Sequence, residues 1–313
     1  MAWLEITVNT NTANIASVTN ALTAEGFSDL VIEDQAELES FLEDNRDYWD
    51  YIDETLQSHL QGLSRIKLYL EDTDLLGMDK LDALLSRLQL SKTVAPLPDV
   101  DYAESWKDSY PPQPIGKRLL VLPYWLSDND AQGREKIILD PGLTFGTGAH
   151  PSTQMVMEAM EQLVAPGSSC LDLGSGSGIL SIAALRLGAA TAVGVDIDPK
   201  AEDIARENAA YNGFSAPAFT ALTGNVTADR DLMLQLAKAS YDVVLVNIVA
   251  DVIIGLAPTL PNFLGDNSKL ICSGILDTRL SQVLAALEAA GLAAVSIRAK
   301  EDWRCVVVER RTV

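Results

Sequence analysis

Cys170–Asp198 reads CLDLGSGSGILSIAALRLGAATAVGVDID. Cys170–Leu173 is a short apolar strand carrying Asp172, and Gly174, Gly176 and Gly178 alternate through the turn that follows. Ile179–Leu187 has a helical apolar pattern closed by Gly188, and Ala192–Val195 is a second apolar strand with Asp196 and Asp198 at its end. Strand, glycine turn, helix, strand and acid make one βαβ unit, with a ligand crevice expected at its carboxyl edge. Alternating glycines weaken a helix start without improving its packing, so they point to backbone in contact with a ligand. Asp196 stands where an acid can accept hydrogen bonds from both hydroxyls of a ribose.

The spacing is G-x-G-x-G, whereas a dinucleotide fingerprint wants G-x-G-x-x-G with a helix end aimed at pyrophosphate. Asp172, two residues before the first glycine, would repel a pyrophosphate and tolerate a cationic adenosyl ligand. These residues favour S-adenosylmethionine over a nicotinamide or flavin dinucleotide. An oxidoreductase, or a module that binds S-adenosylmethionine without turnover, stays as the alternative.

The remaining chain sets bounds. Its 313 residues allow two domains, and 48% hydrophobic content supports a real core. Cys170, Cys272 and Cys305 lie in strand-like runs without metal-ligand spacing and read as buried free thiols in a reducing compartment. Two histidines, His59 and His150, are too few for a metal centre. No secretion signal or long apolar run is legible, so a cytoplasmic protein off the membrane is expected. The net charge is −21, and residues 1–99 hold six bases against nineteen acids. That balance disfavours a nucleic-acid substrate and suits a basic protein.

Trp3–Val8, Asp29–Glu33, Arg65–Leu70 and Lys92–Pro96 read as strands, and Thr12–Glu25 and Met78–Leu90 as helices. This predicts a small α+β domain of the ferredoxin-like kind over residues 1–98, interrupted by an acidic insert, Glu33–Glu54, with interspersed aromatics. The insert reads either as a solvated loop or as a docking surface. Residues 99–126, with Pro111, Pro112 and Pro114, read as a linker, leaving 127–313 as the catalytic domain.

Asp140–Thr153 reads DPGLTFGTGAHPST, a glycine-rich loop resembling a lid, to which Phe145 supplies one large apolar side chain. Pro151 starts a helix through Val164, and Thr153 is either its cap or a ligand contact; His150 is either a turn-fixing residue or part of the site. Asn247 ends the apolar strand Tyr241–Val246, where a parallel sheet opens to its ligand, and is read either as the residue nearest the chemistry or as the cap of the next helix. Lys269–Ser273, Ala294–Ala299 and Arg304–Glu309 complete seven strands counted from Cys170, the last two antiparallel.

Together DPGLTFGTGAHPST, LDLGSGSGILSIAA, GVDIDP, NIVAD and CSGIL resemble the ribosomal protein methyltransferases of the PrmA type, and the likeness runs over nearly the whole chain. The resemblance implies an α/β fold: a seven-stranded doubly wound Rossmann-like sheet of class I methyltransferases, with the smaller N-terminal domain holding substrate. It implies S-adenosylmethionine-dependent methylation of lysine side chains and the N-terminal amine of large-subunit ribosomal protein eleven, at the stalk base, free or on the ribosome. Another basic protein or a small amine is the alternative acceptor. By motif position, cofactor contacts fall on Thr153, Gly174, Asp196 and Asn247. Gly176, Gly178 and Asp172 from the turn, and Phe145 and Thr147 from the loop, complete the candidate set, with Asn247 as the catalytic candidate and no metal ligand.

Overall fold

A computed structural model describes residues 3–27, 29–34, 64–97, 107, 110–141 and 147–311. Most of the acidic insert, the segment around Trp106, and Phe145 lie outside these residues. The chain divides into two compact units, Met1–Lys107 and Asp108–Val313.

In the first unit β1 (Trp3–Asn9), α1 (Thr12–Ala24), β2 (Val31–Asp34), β3 (Ser64–Glu71), α2 (Leu75–Leu88) and β4 (Lys92–Pro96) follow in order. The sheet order is β2-β3-β1-β4, all antiparallel, which is the ferredoxin-like arrangement. Period-two alternation turns Ile6, Val8, Ile66 and Leu68 onto one face, where Leu22 and Leu81 of the helices cover them. The other face carries charge, with Lys67 at 3.0 Å from Glu33.

The second unit opens with β5 (Gln113–Ile115), β6 (Leu119–Pro123) and β7 (Glu135–Leu139) in a separate three-stranded sheet. Here the structure differs from the expected linker over 99–126. Ile115, Leu119 and Val121 are buried in the same core as the helices that follow. The prolines read as linker chemistry, yet Pro114 sits in a three-residue strand paired only with β6, where its missing N–H is tolerated. A glutamate completes the turn: Glu161 accepts from the backbone N–H of Lys117 and Arg118.

Next come α3 (Pro151–Leu163), β8 (Ser169–Leu173), α4 (Ile179–Leu187), β9 (Thr191–Asp196), α5 (Pro199–Tyr211) and β10 (Phe219–Thr223). They are followed by α6 (Arg230–Leu236), β11 (Tyr241–Asn247), α7 (Ala250–Leu256), β12 (Leu264–Leu276), α8 (Leu280–Ala289), β13 (Leu292–Lys300) and β14 (Trp303–Arg310). The seven strands from β8 form one sheet in the order β10-β9-β8-β11-β12-β14-β13. Five run parallel and the terminal pair antiparallel. Apolar cores cover both faces. Along β11, Val243 and Leu245 face one core while Val244 and Val246 face the other. The strand order reverses between β8 and β11, which puts the ligand crevice outside their carboxyl ends.

Because β5 and β6 belong to this core, Asp108–Val313 should unfold in one cooperative transition by circular dichroism. A shorter Ser127–Val313 chain should be clearly less stable or insoluble, having exposed the core residues that β5 and β6 cover. Equal melting of the two would contradict the packing described.

Candidate active site

Register brings the candidate residues together. Leu173 of β8 lies opposite Val246 of β11 on one side and Val195 of β9 on the other. The next residues in each chain, Gly174, Asn247 and Asp196, therefore stand side by side along one sheet edge. Gly174 has φ +77°, and its N–H donates to the Val195 carbonyl at 2.8 Å. A Cβ there would come within 2.3 Å of Ile248 Cγ2, so the residue after Asn247 leaves room only for hydrogen. Gly178, with φ +78°, ends the turn as the residue before α4, where a Cβ would press on Ala205 of α5 at 3.0 Å.

Glycine at that position offers no side chain to the free N–H groups of α4. Asp172 supplies it from the strand. Its Oδ2 accepts from Ser181 N–H at 3.1 Å and Ser181 Oγ at 2.9 Å, in the first turn of the helix. The Asp172 carboxyl is fully buried, and its Oδ1 has no partner among the described residues. Burial pushes its pKa up to about 7, against the pull of the Ser181 hydrogen bonds and with the Asp196 charge adding to the rise. Asp172 is thus turned under the helix rather than held open to the crevice as a bare charge, and it shapes the glycine turn. Ser181 was not singled out in the sequence. Its signal was there: it is the one hydroxyl in the otherwise apolar first two turns of α4.

Asp196 is held by the backbone. Its Oδ2 accepts from Gly176 N–H at 2.8 Å and its Oδ1 from Asp198 N–H at 3.0 Å. Each carboxylate oxygen has a second lone pair for a hydroxyl donor. Asp198 itself caps α5 through Lys200 N–H at 2.9 Å.

Asn247 does not cap a helix. The cap position of α7 is Val249, which makes no side-chain hydrogen bond there. Instead Asn247 Nδ2 donates to Thr153 Oγ1 at 3.1 Å, across 94 residues of chain. Asn247 Oδ1 is buried and has no partner among the described residues. Thr153 is buried and is not the cap of α3 either. That place belongs to His150, whose Nδ1 accepts from Ser152 N–H at 3.3 Å and sits 2.7 Å from Ser152 Oγ. The His150 ring packs edge-on against Trp303, with centroids 4.6 Å apart. Burial lowers its pKa, opposed by Glu301. A structural role for His150 follows, while Thr153 goes with Asn247.

Thr147 lines a small recess with Leu122, Pro123, Leu139 and Pro141, at the carboxyl ends of β6 and β7. Phe145 falls outside the described residues. The site thus gathers Gly174, Gly176, Asp196, Asn247 and Thr153, with Asp172 and Gly178 beneath it.

Comparison with known proteins gives a consistent result. The family model described as ribosomal protein L11 methyltransferase (PrmA) matches residues 2–311. A ribosomal protein L11 methyltransferase of Pelotomaculum thermopropionicum is 35% identical over 309 residues, covering 97% of each chain. One from Alkaliphilus oremlandii is 31% identical over 325 residues, covering 98% of each. Among solved structures, a ribosomal protein L11 methylase of Lactobacillus delbrueckii subsp. bulgaricus superposes with a TM-score of 0.58 at 29% identity, over 65% of this chain and all of that one.

The Asp172 carboxyl gives a pH prediction. In the unfolded chain it titrates at an ordinary 3.8, in the folded protein near 7. Between those values the folded protein holds a proton that the unfolded chain has released, so this group costs stability as pH rises through the window, on the order of 4 kcal/mol in total. Asp172→Asn keeps an acceptor for Ser181 and has no proton to lose. In urea unfolding its stability relative to wild type should rise from pH 5 to pH 8. A constant difference would mean that Asp172 does not titrate there.

Proposed function

The chain belongs to the PrmA family of ribosomal protein L11 methyltransferases, and from that premise we propose that it methylates amino groups of ribosomal protein L11, with Asn247 receiving the attacking amine. It is an S-adenosylmethionine-dependent protein methyltransferase. The observation that carries the role of Asn247 is its divided amide: the NH₂ is engaged by Thr153 and the oxygen is buried with no partner among the described residues.

The residues present fit the cofactor. Asp196 would take the ribose hydroxyls on lone pairs left by Gly176 and Asp198. Gly174, Gly176 and Gly178 would let its chain lie against bare backbone, Asp172 holds the shape of that turn, and Thr153 and Thr147 would close the site from the loop side. Bound S-adenosylmethionine supplies the methyl group, on a cationic sulfur.

What the protein adds is position and polarity. Asn247 Oδ1 accepts a hydrogen from the incoming amine and so aims the nitrogen lone pair. A free lysine has a pKa of about 10.4 and is mostly protonated at neutral pH. A neutral amide in a buried setting does not reward the ammonium form as a carboxylate would. The amine therefore reaches the site as the nucleophile, and its proton leaves to solvent.

The proposal extends to lysine side chains and the N-terminal amine as acceptors, in ribosomal protein L11 free or at the stalk base, and to a cytoplasmic setting. A net charge of −21 supports a basic partner drawn by long-range attraction. Among the described residues no helix is long and apolar enough to cross a membrane.

Two measurements test this. Calorimetry should show S-adenosylmethionine binding that Asp196→Ala weakens by about 1.5–3 kcal/mol, the scale of hydrogen bonds to a charged group. Undiminished affinity would remove Asp196 from the cofactor site. In turnover with radiolabelled cofactor and ribosomal protein L11, Asn247→Ala should lower kcat about 100-fold through lost aim. Asn247→Asp should also be slow and should recover partly at high pH, since its charge retains the ammonium. Wild-type turnover by Asn247→Ala would refute the assignment.

A further inference from the structure

Tyr124 and Tyr211 stack face to face on the surface of the second unit, with ring centroids 5.6 Å apart and planes 10° from parallel. Tyr124 begins the single turn that leaves β6, and Tyr211 ends α5. Trp125 stands edge-on to Tyr124 at 5.0 Å, and Tyr110 edge-on to Trp125 at 6.4 Å, so four rings run together. Tyr124 is 37% exposed and Tyr211 45%. One exposed tyrosine needs no explanation, but a stacked pair backed by two more rings is a contiguous aromatic patch kept in water.

Two carboxylates act on the patch. Burial raises the Tyr211 phenol, and the carboxylates of Asp140 and Glu207 raise it further, which places both acids within electrostatic reach of the ring. Of the nearby bases, Arg206 pairs with Glu202 and Asp203, while Lys136 donates to the Ser127 carbonyl at 2.8 Å and Arg186 to the Asn212 carbonyl at 3.1 Å. Ring faces beside carboxylates attract cations and repel phosphates.

The patch is joined to the crevice by one side chain. Asn208 of α5 is fully buried; its Oδ1 accepts from Asp140 N–H at 2.9 Å and its Nδ2 donates to the Ser177 carbonyl at 2.9 Å. Ser177 lies in the glycine turn between Gly176 and Gly178. A single carboxamide thus separates the acid beside the rings from the turn under the proposed cofactor site.

We propose that Tyr124 and Tyr211, with Asp140 and Glu207 beside them, dock a lysine- or arginine-bearing segment of the protein substrate close to the methyl-transfer crevice. This rests on the methyltransferase reading above and names a surface by which that substrate is held.

The test uses the full chain with ribosomal protein L11 as acceptor. The double variant Tyr124→Ala/Tyr211→Ala should raise KM for the protein about five- to twenty-fold, the scale of two exposed cation–ring contacts. Its kcat at saturation, its affinity for S-adenosylmethionine and its melting temperature should stay at wild-type values. Tyr124→Phe/Tyr211→Phe keeps the rings and should keep the wild-type KM. Glu207→Gln should raise KM modestly and flatten its salt dependence. An unchanged KM in the alanine double variant overturns the surface, and so does a KM rise accompanied by an equal loss of cofactor affinity, which would mark a structural role. A wild-type enzyme that leaves ribosomal protein L11 unmethylated overturns instead the substrate reading on which the surface rests.

Discussion

A carboxyl group without water around it ties strand β8 to helix α4. Asp172 sits at 0% exposure, and its one engaged oxygen accepts from the backbone N–H and the hydroxyl of Ser181. A helix start leaves N–H groups unpaired, and the residue before it normally supplies the acceptor. Here that residue is Gly178, which has none. Moving the acceptor into the strand frees the turn to be glycine, with the positive φ and close contacts seen at Gly174 and Gly178. The consequence is a carboxyl whose pKa rises to about 7. Stability is given up at neutral pH for a turn whose backbone is bare on the ligand side.

With that turn fixed, the site needs few other devices. Strand register sets Gly174, Asn247 and Asp196 abreast, and each polar group is oriented by a bond already made. Gly176 and Asp198 hold Asp196, and Thr153 holds Asn247. Such groups lose little freedom when a ligand arrives, which is how positioning contributes to rate.

Much of this could be read from the sequence, where local pattern and tertiary role coincide. The βαβ unit was legible because strand, turn, helix and acid are contiguous, and Asn247 because a lone amide ends an apolar run. Of the three-stranded sheet, Leu119–Leu122 and Lys136–Leu139 read as strand-like, but β5 and the burial that ties the sheet to the core were not legible. Its strands are three to five residues long, and Pro111, Pro112 and Pro114 hide the burial of Ile115 behind linker chemistry. The short helix α6 escaped for want of two full apolar repeats. The bond from Asn247 to Thr153 spans 94 residues, and no local pattern encodes it. Asn208 and Asn212 were hidden in the same way. Asn208 lies on α5 and Asn212, four residues on, caps it, and the carboxamide of Asn212 pairs both the N–H and the carbonyl of Ile138 on β7. In sequence they are two ordinary polar residues at the end of a helix. Only the packed edge of β7 gives them their partners.

Electrostatics then divides the labour between rim and interior. An acidic protein attracts a basic substrate, but attraction and attack ask for opposite forms of the amine. Recruitment favours the ammonium, and transfer needs the neutral nitrogen. Carboxylates at the point of attack would retain the form that cannot react. The arrangement observed avoids this conflict: Asp140 and Glu207 lie by the exposed rings, while the residue at the end of the central strand is an amide. Asp172, the acid nearest in sequence to the turn, is buried on Ser181, and burial raises its pKa to about 7. Under the proposal, the carboxylates that draw the ammonium and the amide that receives the neutral nitrogen are different groups, and Asp196, the carboxylate abreast of Asn247, is engaged by the backbone N–H groups of Gly176 and Asp198.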